Sequence, residues 1–408
     1  MTTCDREPTL LPMAEAIARM STTITPVTAT ETQPLTQLLD RVLAQPVHAQ
    51  LAVPGHDNAA MDGYALRAAD GDAPRELVGQ ALAGHPFEGE IKPGQCVRIT
   101  TGAMLPAGAD TVIMQENTRT DAQQVWPIQT PRAGDNIRRA GEDIAPGSQV
   151  LPKGHRVGPV DVALLASVGI AKAWVYRRLK VAILSTGDEL VAPGAPLAPG
   201  QLYDSNRFGI AAVLQRLNVQ VIDLGLIADD PAAIHLALQR ASEQADVVIS
   251  SGGVSVGEAD HVKDVLTDLG QINFWKVAIK PGKPFAFGTL GDAFFFGLPG
   301  NPVSAMVTLH QLAMPVLRTM AGEHIQNADT FQVKSASKYR KRPGRLDFQR
   351  ATLSEQDGQC TVSRNGPQGS GVLTSFRGAN CYVVLEQERG SVEEEEFVTV
   401  LPFDRFIR

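Results

Sequence analysis

The sequence predicts a multidomain protein in which an α/β domain with a parallel sheet is joined to β-rich and mixed helical domains. The length, 408 residues, exceeds one ordinary domain. Strand-like and helix-like segments alternate from Arg178 onward, and short strand patterns broken by Gly and Pro flank that region. We therefore expect four domains, namely a discontinuous linking domain (7–45 and 150–177), a β-rich insertion (46–149), an α/β domain (178–327) and a C-terminal β domain (328–408).

The linking domain is predicted from helical periodicity on both sides of the insertion. MAEAIARM and TQLLDRVLAQPV carry apolar residues at helical spacing, and VGPVDVALLASVGI forms a third helix that opens at Pro159. We expect this third helix to pack on the first two. Between them, QCVRIT and DTVIMQE are short alternating runs that predict strands of a small β domain.

The α/β domain is predicted from four short apolar runs, KVAILS, VQVIDLG, DVVIS and AFFFG. They alternate with helix-like segments, FGIAAVLQRL, PAAIHLALQRASEQA, HVKDVLTDLG and VSAMVTLHQLAMPVLRTM, which is typical of a parallel sheet covered by helices. After position 327, FQVKSAS, LDFQRATL, CTVSR, CYVVLEQ and FVTVL predict a compact C-terminal β domain.

Composition excludes several classes of protein. Hydrophobic residues make up 43% and charged residues 20%, and no apolar run approaches the roughly 20 residues of a membrane span. The amino terminus lacks a basic segment leading into an apolar one, and the four cysteines show no CxxC spacing, so we expect a cytoplasmic protein without structural zinc. The formal net charge of −7 argues against nucleic acid as a partner.

Carboxylates and glycines follow the predicted strands of the α/β domain. Since open parallel sheets bind ligands at the carboxyl ends of their strands, these residues predict a site, and they are Thr186, Gly187, Asp188, Glu189, Asp229, Asp230, Gly252, Gly253, Glu258 and Asp260. The carboxylates could hold Mg²⁺, and the glycines would let backbone amides approach an anion. Helix capping is the alternative for Asp188, Glu189 and above all Asp230, which precedes Pro231. Asp260, beside the glycine loop, is harder to explain as a cap alone.

Lysines and a proline turn follow the glycine loop. The lysines are Lys263, Lys276, Lys280 and Lys283, and isolated lysines are ordinarily solvated surface charges. Lys276 and Lys280 are four residues apart, so they would share one face if they lay on a single strand. Pro302 in LPGNPVSA is predicted to open a helix with amides free for an anion, although a plain turn and cap explain these residues equally well.

Seven motifs in order, DNAAMDGYA, TTGAMLP, RRAGEDI, STGDEL, SGGVSVGEAD, KVAIKPGKP and GLPGNPVS, resemble those of molybdopterin molybdenumtransferases of the MoeA and gephyrin E-domain type. The resemblance covers nearly the whole chain. It implies an elongated homodimer whose α/β domain is similar to molybdopterin adenylyltransferase. It also implies insertion of molybdate into adenylylated molybdopterin, with release of AMP and a requirement for Mg²⁺.

The resemblance implies roles for particular residues. The implied catalytic residues are Asp62, Asp143, Glu189, Asp229, Asp260, Lys276 and Lys280, of which Glu189, Asp229 and Asp260 would hold the metal. The implied substrate contacts are Thr101, Ser251, Gly252, Gly253, Pro299, Pro302, Ser304, Arg350 and Ser370. Asp62 and Asp143 would reach the cleft from the partner subunit, with turn stabilisation as their alternative role. For Arg350 the alternative is an ordinary charge on a β surface.

Two other functions remain open on the sequence. A molybdopterin adenylyltransferase would share the α/β domain, but its Gly-Gly-Thr-Gly loop is replaced here by Gly252-Gly253-Val254-Ser255 and the additional β domains are not expected. A binding scaffold would not need the carboxylates and lysines named above. The sequence leaves open whether tungstate competes with molybdate, whether Asp229 or Asp230 faces the cleft, and which molybdoenzyme or maturation protein receives the product.

Overall fold

The computed structural model describes residues 10–253, 261–326 and 328–408, which divide into two compact units. We call residues 32–39 and 43–175 the insertion unit, and the segment up to Glu31 together with 40–42 and 176–408 the sheet unit. The four domain boundaries expected from the sequence stay a prediction beside this two-unit division.

The helices are short, and all but α2 belong to the sheet unit. They are α1 (Met13–Thr23), α2 (Pro159–Ser167), α3 (Asn206–Arg216), α4 (Pro231–Gln244), α5 (His261–Leu269), α6 (Pro302–Thr308) and α7 (Met314–Met320), with a π-helical turn at Leu309–Ala313 joining α6 to α7. Each of the four helix-like segments of the predicted α/β domain is confirmed. In the described part of the chain, no helix has the length and apolar character to cross a membrane.

Short strands are the main regular structure from residue 30 to 176. They are β1 (Thr30–Pro34), β2 (Val47–His48), β3 (Asn58–Ala59), β4 (Gly63–Leu66), β5 (Arg75–Ala81), β6 (Gln95–Ile99), β7 (Thr111–Met114), β8 (Thr118–Asp121), β9 (Gln124–Pro127), β10 (Ile137–Arg138), β11 (Gln149–Leu151) and β12 (Lys172–Tyr176). Six form a sheet in the order β7-β4-β6-β5-β9-β8, where only β5 and β6 run parallel. The predicted β-rich character of this region is confirmed.

One predicted helix is wrong. TQLLDRVLAQPV forms only a 3₁₀ turn at Leu35–Gln37 and then becomes extended. Asp40 has a left-handed φ of 63°, which interrupts a helix, and the amide of Leu43 donates to the carbonyl of His155 at 2.9 Å. Pairing with distant backbone therefore overrides the local helical periodicity. Leu43 still belongs to the same core as Leu165 of α2, so the expected packing of α2 on this segment is confirmed. The expected packing of α2 on α1 is wrong, because Ala16 and Met20 of α1 belong to a different core.

Among its described residues, the α/β part of the sheet unit contains nine strands, β13 (Lys180–Thr186), β14 (Leu190–Val191), β15 (Leu202–Tyr203), β16 (Gln220–Ile227), β17 (Val247–Ser251), β18 (Gly270–Lys276), β19 (Ile279–Lys280), β20 (Pro284–Leu290) and β21 (Ala293–Leu298). The main sheet has the order β16-β13-β17-β21-β20-β18. Its first four strands are parallel, as predicted, but β20 runs antiparallel to both of its neighbours, β21 and β18, so the sheet is mixed. The short connection between β20 and β21 explains the difference, because it permits only a hairpin.

Helices cover both faces of this sheet. Alternate residues of β13 point to opposite sides: Val181 and Ile183 belong to the core under α1, α3, α6 and α7, whereas Ala182 and Leu184 belong to the core under α4 and α5. Burial of both faces explains why the strand sequences are continuous apolar runs. The helices on both faces therefore fix the position of the sheet edge at which the parallel strands end.

The C-terminal strands are β22 (Phe331–Ser335), β23 (Leu346–Gln356), β24 (Gln359–Arg364), β25 (Cys381–Leu385) and β26 (Phe397–Pro402), which confirms all five predicted strands. They form the order β23-β24-β22-β26-β25, and β25 also pairs with β23, so the sheet closes on itself. Strand β19 adds to this sheet by pairing with β23. The α/β part therefore extends its backbone into the C-terminal sheet.

Candidate functional site

A cavity of about 620 Å³ lies at the carboxyl ends of the four parallel strands. It takes its walls from the loops that follow β13, β16, β17 and β21 and from the start of α3. The sequence-predicted residues on its lining are Thr186, Gly187, Glu189, Asp229, Ser251, Gly252, Gly253, Pro299 and Pro302, whereas Asp188 is not on it. A cavity is thus present at the sheet edge where the sequence predicts the site, and the site itself stays a prediction.

The turn after β17 requires glycine at two successive positions. Gly252 and Gly253 have φ values of 90° and 66°, in the left-handed region. A Cβ on Gly252 would lie 2.7 Å from the carbonyl oxygen of Thr186, and one on Gly253 would lie 2.3 Å from Cγ2 of Val262. The chain therefore passes close to β13 and α5 here, with its backbone exposed to the cavity.

Asn206, at the start of α3, was not singled out from the sequence. Its Nδ2 donates to Oγ of Ser251 at 2.8 Å and to the carbonyl oxygen of Gly300 at 2.7 Å. One amide group thus joins the loop after β17 to the loop after β21, and Asn206 itself lines the cavity. The sequence offered one signal: Asn206 lies two residues before the predicted helix FGIAAVLQRL, in the connection that leaves the carboxyl end of the strand KVAILS.

The two adjacent aspartates after β16 have separate positions. Asp230 accepts a hydrogen bond from the amide of Ala233 at 2.8 Å and is the N-cap of α4, with Pro231 at the first helical position. Asp229 lines the cavity, and its amide donates to Oδ1 of Asp188 at 3.3 Å. The structure thereby favours Asp229 over Asp230 as the residue facing the cavity.

Glu189 reaches the cavity because of the glycine before it. Gly187 has a φ of 143°, and a Cβ there would lie 2.7 Å from Oε2 of Glu189. The absent side chain leaves room for the carboxylate to fold over the turn. Within the described ranges, no three His, Cys, Asp or Glu side chains cluster as metal ligands. Asp260, the third predicted ligand, lies outside the described residues, as do Val254, Ser255 and Glu258.

Lys276 and Lys280 do not lie on a single strand, which was the condition for their sharing one face. Lys276 ends β18 and pairs with Pro284 of the α/β sheet, whereas Lys280 lies in β19, which pairs with the C-terminal sheet. The two lysines are therefore on different strands of different sheets, because the chain leaves one sheet between them. Nζ of Lys280 donates to Oδ2 of Asp347 at 2.9 Å. Neither lysine lines the cavity.

Arg350 is not a surface charge, because its exposed fraction is 1%. Its Nε donates to Oγ of Ser375 at 3.0 Å and its Nη1 to the carbonyl oxygen of Phe348 at 3.0 Å. Its Nη2 is buried and has no hydrogen-bond partner among the described residues. Burial lowers the pKa of Arg350, since the charged form loses hydration. A buried guanidinium with an unused donor is suited to an anion.

The loop carrying Ser370 connects Arg350 to the start of α6. The side chain of Gln368, which the sequence did not reveal, accepts from the amide of Arg350 at 2.8 Å and donates to its carbonyl at 3.0 Å. The carbonyl of Ser370 accepts the amide of Val303 at 2.9 Å. The expectation of free amides at this helix start is thus wrong for Val303. Ser304 is buried within α6 and does not line the cavity.

The remaining predicted residues belong to the insertion unit. Oδ1 of Asp62 accepts from the amide of Thr101 at 2.7 Å and from its hydroxyl at 2.8 Å. These hydrogen bonds lower the pKa of the Asp62 carboxyl. Asp62 and Thr101, both predicted site residues, are therefore in direct contact. Asp143 is exposed in a turn, where its amide donates to the carbonyl of Val53 at 3.1 Å.

Comparisons with known proteins account for most of the chain. Residues 11–169 match the MoeA N-terminal region (domain I and II), 182–319 match a probable molybdopterin binding domain, and 332–403 match the MoeA C-terminal region (domain IV). The molybdopterin molybdenumtransferase of Haemophilus influenzae is 49% identical over 335 residues, covering 81% of this chain and 83% of that protein. The chain belongs to the MoeA family of molybdopterin molybdenumtransferases.

The similarity to the MoeA family includes a second sequence relative and a solved structure. The molybdopterin molybdenumtransferase of Nostoc is 40% identical over 251 residues, which cover 60% of this chain and 58% of that protein. The solved structure of the molybdopterin biosynthesis moeA protein from Pyrococcus horikoshii OT3 has a TM-score of 0.83 at 27% identity, covering 97% of this chain and 100% of that one. The expected combination of α/β and β-rich parts is confirmed by this MoeA fold. Membership makes the chain a transferase of molybdenum cofactor biosynthesis.

Proposed function

We propose that the protein inserts molybdate into adenylylated molybdopterin and releases AMP. The observation that carries this proposal is the cavity at the strand ends, where two carboxylates and a two-glycine turn share one space in a member of the MoeA family. About 620 Å³ is within the range of small-molecule sites. The family favours neither of the alternatives, an adenylyltransferase or a scaffold.

The described residues suit the charges of both substrates. Molybdate is a dianion and the adenylylated pterin contains a pyrophosphate, so both need donors in a desolvated place. The turn at Gly252 and Gly253 brings backbone close to the ligand, and Arg350 has an unused buried Nη2. In the reaction, molybdenum forms two bonds to the dithiolene sulfurs, and one molybdate oxygen leaves as water with the two thiol protons. Water bonds to the pterin phosphorus and gives up a proton to solvent. The bridging P–O bond breaks, and AMP leaves with the bridging oxygen and its electron pair.

We also propose that Mg²⁺ is held by Glu189 and Asp229, together with Asp260. Mg²⁺ characteristically takes one or two carboxylates together with waters and substrate phosphates, and the two carboxylates on the cavity lining fit that donor set. When bound, the cation would neutralise charge on the pyrophosphate. Glu189 and Asp229 would orient it from the loops after β13 and β16.

The proposal also covers the oligomeric state and the cellular location of the protein. We propose a homodimer in which Asp62, Thr101 and Asp143 of one subunit complete the site of the other. The protein would act in the cytoplasm, where Cys96, Cys360 and Cys381 would remain the free thiols that the structure contains. A molybdopterin adenylyltransferase would supply the substrate, and a molybdoenzyme or its maturation protein would receive the product.

The test is release of AMP by the purified protein with adenylylated molybdopterin, molybdate and Mg²⁺, followed by chromatography. We expect AMP release that depends on molybdate and collapses in Asp229→Asn and Asp260→Asn. Arg240→Gln, an exposed change on α4, is the control and should retain full activity. Formation of adenylylated molybdopterin from molybdopterin and ATP, without molybdate-dependent AMP release, would instead establish the adenylyltransferase. Inactivity in both assays would favour a scaffold.

A further inference from the structure

A second concave surface, distinct from the cavity at the strand ends, carries a strong excess of positive charge. It has a volume of about 850 Å³, and we call it the basic hollow. Its cationic lining residues are Lys280, Lys338, Arg340, Lys341, Arg342 and Arg345, against two carboxylates, Asp347 and Glu393. The whole chain has a formal net charge of −7, so this concentration of cations is local.

The sequence directs three of these cations outward. In the extended segment 338–342, Tyr339 is 0% and Lys341 is 7% exposed, whereas Lys338, Arg340 and Arg342 are exposed. This alternation is that of a strand with one buried face. Tyr339 exchanges two backbone hydrogen bonds of 2.9 Å with Val392, which holds the segment in register.

The buried side chain of Lys341 holds the segment 338–342 in place through hydrogen bonds. Its Nζ donates to the carbonyl oxygens of Arg389 at 2.7 Å and Gln387 at 3.1 Å, and the amide of Gly344 donates to Gln387 at 2.8 Å. Burial lowers the pKa of Lys341 and the charge of Lys280 adds to this, while Asp347 raises it. Its partners are thus neutral carbonyls, and the positive charge beneath the hollow is not cancelled by them.

Only part of the charge is neutralised within the hollow. Asp347 pairs with Lys280 at 2.9 Å, and Glu393 pairs with Lys338 at 2.6 Å. Both carboxylates are used by these contacts. Across the described ranges, Arg340, Arg342 and Arg345 have no ion-pair partner. Three guanidinium groups on one concave wall, all unpaired, form a surface suited to an anion with several oxygens, because each guanidinium presents a planar fork of donors.

We propose that the basic hollow binds a tetrahedral oxyanion dianion, either a phosphate monoester or molybdate. A concave wall of arginines favours a compact, multiply charged ligand, and the net negative charge of the chain disfavours nucleic acid. Lys280, which belongs to the set implied as catalytic, lines this hollow and not the cavity at the strand ends. This inference concerns a second site and does not depend on AMP release.

Residue-resolved protection from an arginine reagent tests the proposal on the unmodified protein. The protein is treated with phenylglyoxal in the presence of phosphate, molybdate or chloride at equal ionic strength, and modification is quantified by peptide mass spectrometry. We expect phosphate or molybdate to slow modification of Arg340 and Arg342 about fivefold at a concentration four times the dissociation constant. The exposed Arg119 and Arg240 are internal controls and should react at unchanged rates.

The two anions distinguish the sources of the ligand. Protection by molybdate alone identifies a molybdate site, protection by phosphate alone a phosphate-monoester site, and protection by both a general dianion site. In the Arg340→Gln/Arg342→Gln variant, which changes two exposed side chains, protection of Arg345 should be lost. Equal rates in chloride and in both dianions, or equal protection of Arg119 and Arg240, would overturn the proposal.

Discussion

Gly253 is the residue where backbone geometry constrains the site most tightly. Its φ is 66°, and an added Cβ would lie 2.3 Å from Val262 and 3.0 Å from Oγ1 of Thr186. Gly253→Ala should lower the free energy of unfolding by about 1–3 kcal/mol through strain and overpacking. It should also raise the KM for the adenylylated pterin, because the turn must move away from α5. Urea unfolding and AMP-release kinetics measure the two effects.

Gly390→Ala is the matched control for Gly253→Ala. No heavy atom lies within 4 Å of a Cβ at Gly390, and its φ is outside the left-handed region. This variant should keep both the unfolding midpoint and the KM of the wild type. Indistinguishable behaviour of the two alanine variants would contradict the role assigned to the turn.

Asp62 provides a prediction about pH. The amide and the hydroxyl of Thr101 both donate to Asp62, and they lower the pKa of its carboxyl below the ordinary value of 3.8. A lowered folded-state pKa stabilises the folded protein above the unfolded pKa, and that stabilisation is lost as pH falls through the folded pKa. Thr101→Val removes the hydroxyl but keeps the amide, so the pKa of Asp62 should rise toward 3.8. A carboxyl titration followed by NMR measures it, and an unchanged pKa would show that the hydroxyl contributes nothing.

For individual residues, the sequence predicted which ones line the cavity better than it predicted how deeply a side chain is buried. Glu189, Asp229 and the two glycines could be placed on the cavity because they directly follow apolar strand runs. The burial of Arg350 could not be predicted, since it depends on Ser375 and Phe376 from a distant loop. An arginine in an alternating strand pattern is equally compatible with either face.

Two loops of the α/β sheet are held together at the element scale by Asn206. Its Nδ2 bridges Ser251 and Gly300, which follow β17 and β21. Asn206→Asp replaces that donor by an acceptor facing the Gly300 carbonyl, and it should cost about 1–3 kcal/mol of stability. The KM for the adenylylated pterin should rise with it, because the cavity walls are no longer joined. Chemical denaturation and steady-state kinetics report the two consequences.

Asn380→Asp controls for loss of an equivalent amide. Asn380 exchanges hydrogen bonds of 2.7 and 2.8 Å with the backbone of Leu353 in the C-terminal sheet, and it does not line the cavity. This variant should lose similar stability yet retain the KM of the wild type. An equal rise of KM in both variants would mean that stability alone, and not the joined loops, sets the affinity.

Elements predicted from periodicity were right where packing agreed with the local pattern. α4 begins where Asp230 and Pro231 predict it, because the cap satisfies an amide that the helix leaves unpaired. TQLLDRVLAQPV failed because the amides of Leu43 and Ala44 pair with backbone about 110 to 130 residues away. The sequence left open whether Lys276 and Lys280 lie on one strand, because nothing local reveals that the chain changes sheets at Val277.

At the scale of the whole molecule, the proposed homodimer predicts complementation between variants. If each site combines the sheet unit of one subunit with the insertion unit of the other, Asp229→Asn and Asp62→Asn lie in different units. After subunit exchange at equal amounts, half of the dimers are mixed and each has one intact site, so about a quarter of the wild-type activity should return. Molybdate-dependent AMP release before and after exchange measures the recovery.

A mixture of Asp229→Asn with Glu189→Gln is the control for complementation. Both changes lie in the sheet unit, so every site of every mixed dimer keeps one defect. This mixture should stay inactive. Recovery in both mixtures, or in neither, would contradict a site shared between subunits.

The overall combination of domains was predictable because each part has its own pattern. Alternating strands and helices predicted the α/β part, and short strands with Gly and Pro predicted the β parts. The antiparallel pairing of β20 with β18 and β21 was missed because the apolar run of Pro284–Leu290 resembles any buried strand. Strand direction follows from connection length, and a short connection forces a hairpin.

The central claim is that the chemistry takes place in the cavity at the ends of the parallel strands. The most direct measurement compares kcat for molybdate-dependent AMP release in Asp229→Asn and Asp230→Asn, two identical changes at adjacent positions. Asp229 lines the cavity whereas Asp230 caps α4, so Asp229→Asn should lower kcat about 100-fold or more and Asp230→Asn should leave it nearly unchanged. Equal kcat values for the two variants, or a loss confined to Asp230→Asn, would contradict the claim.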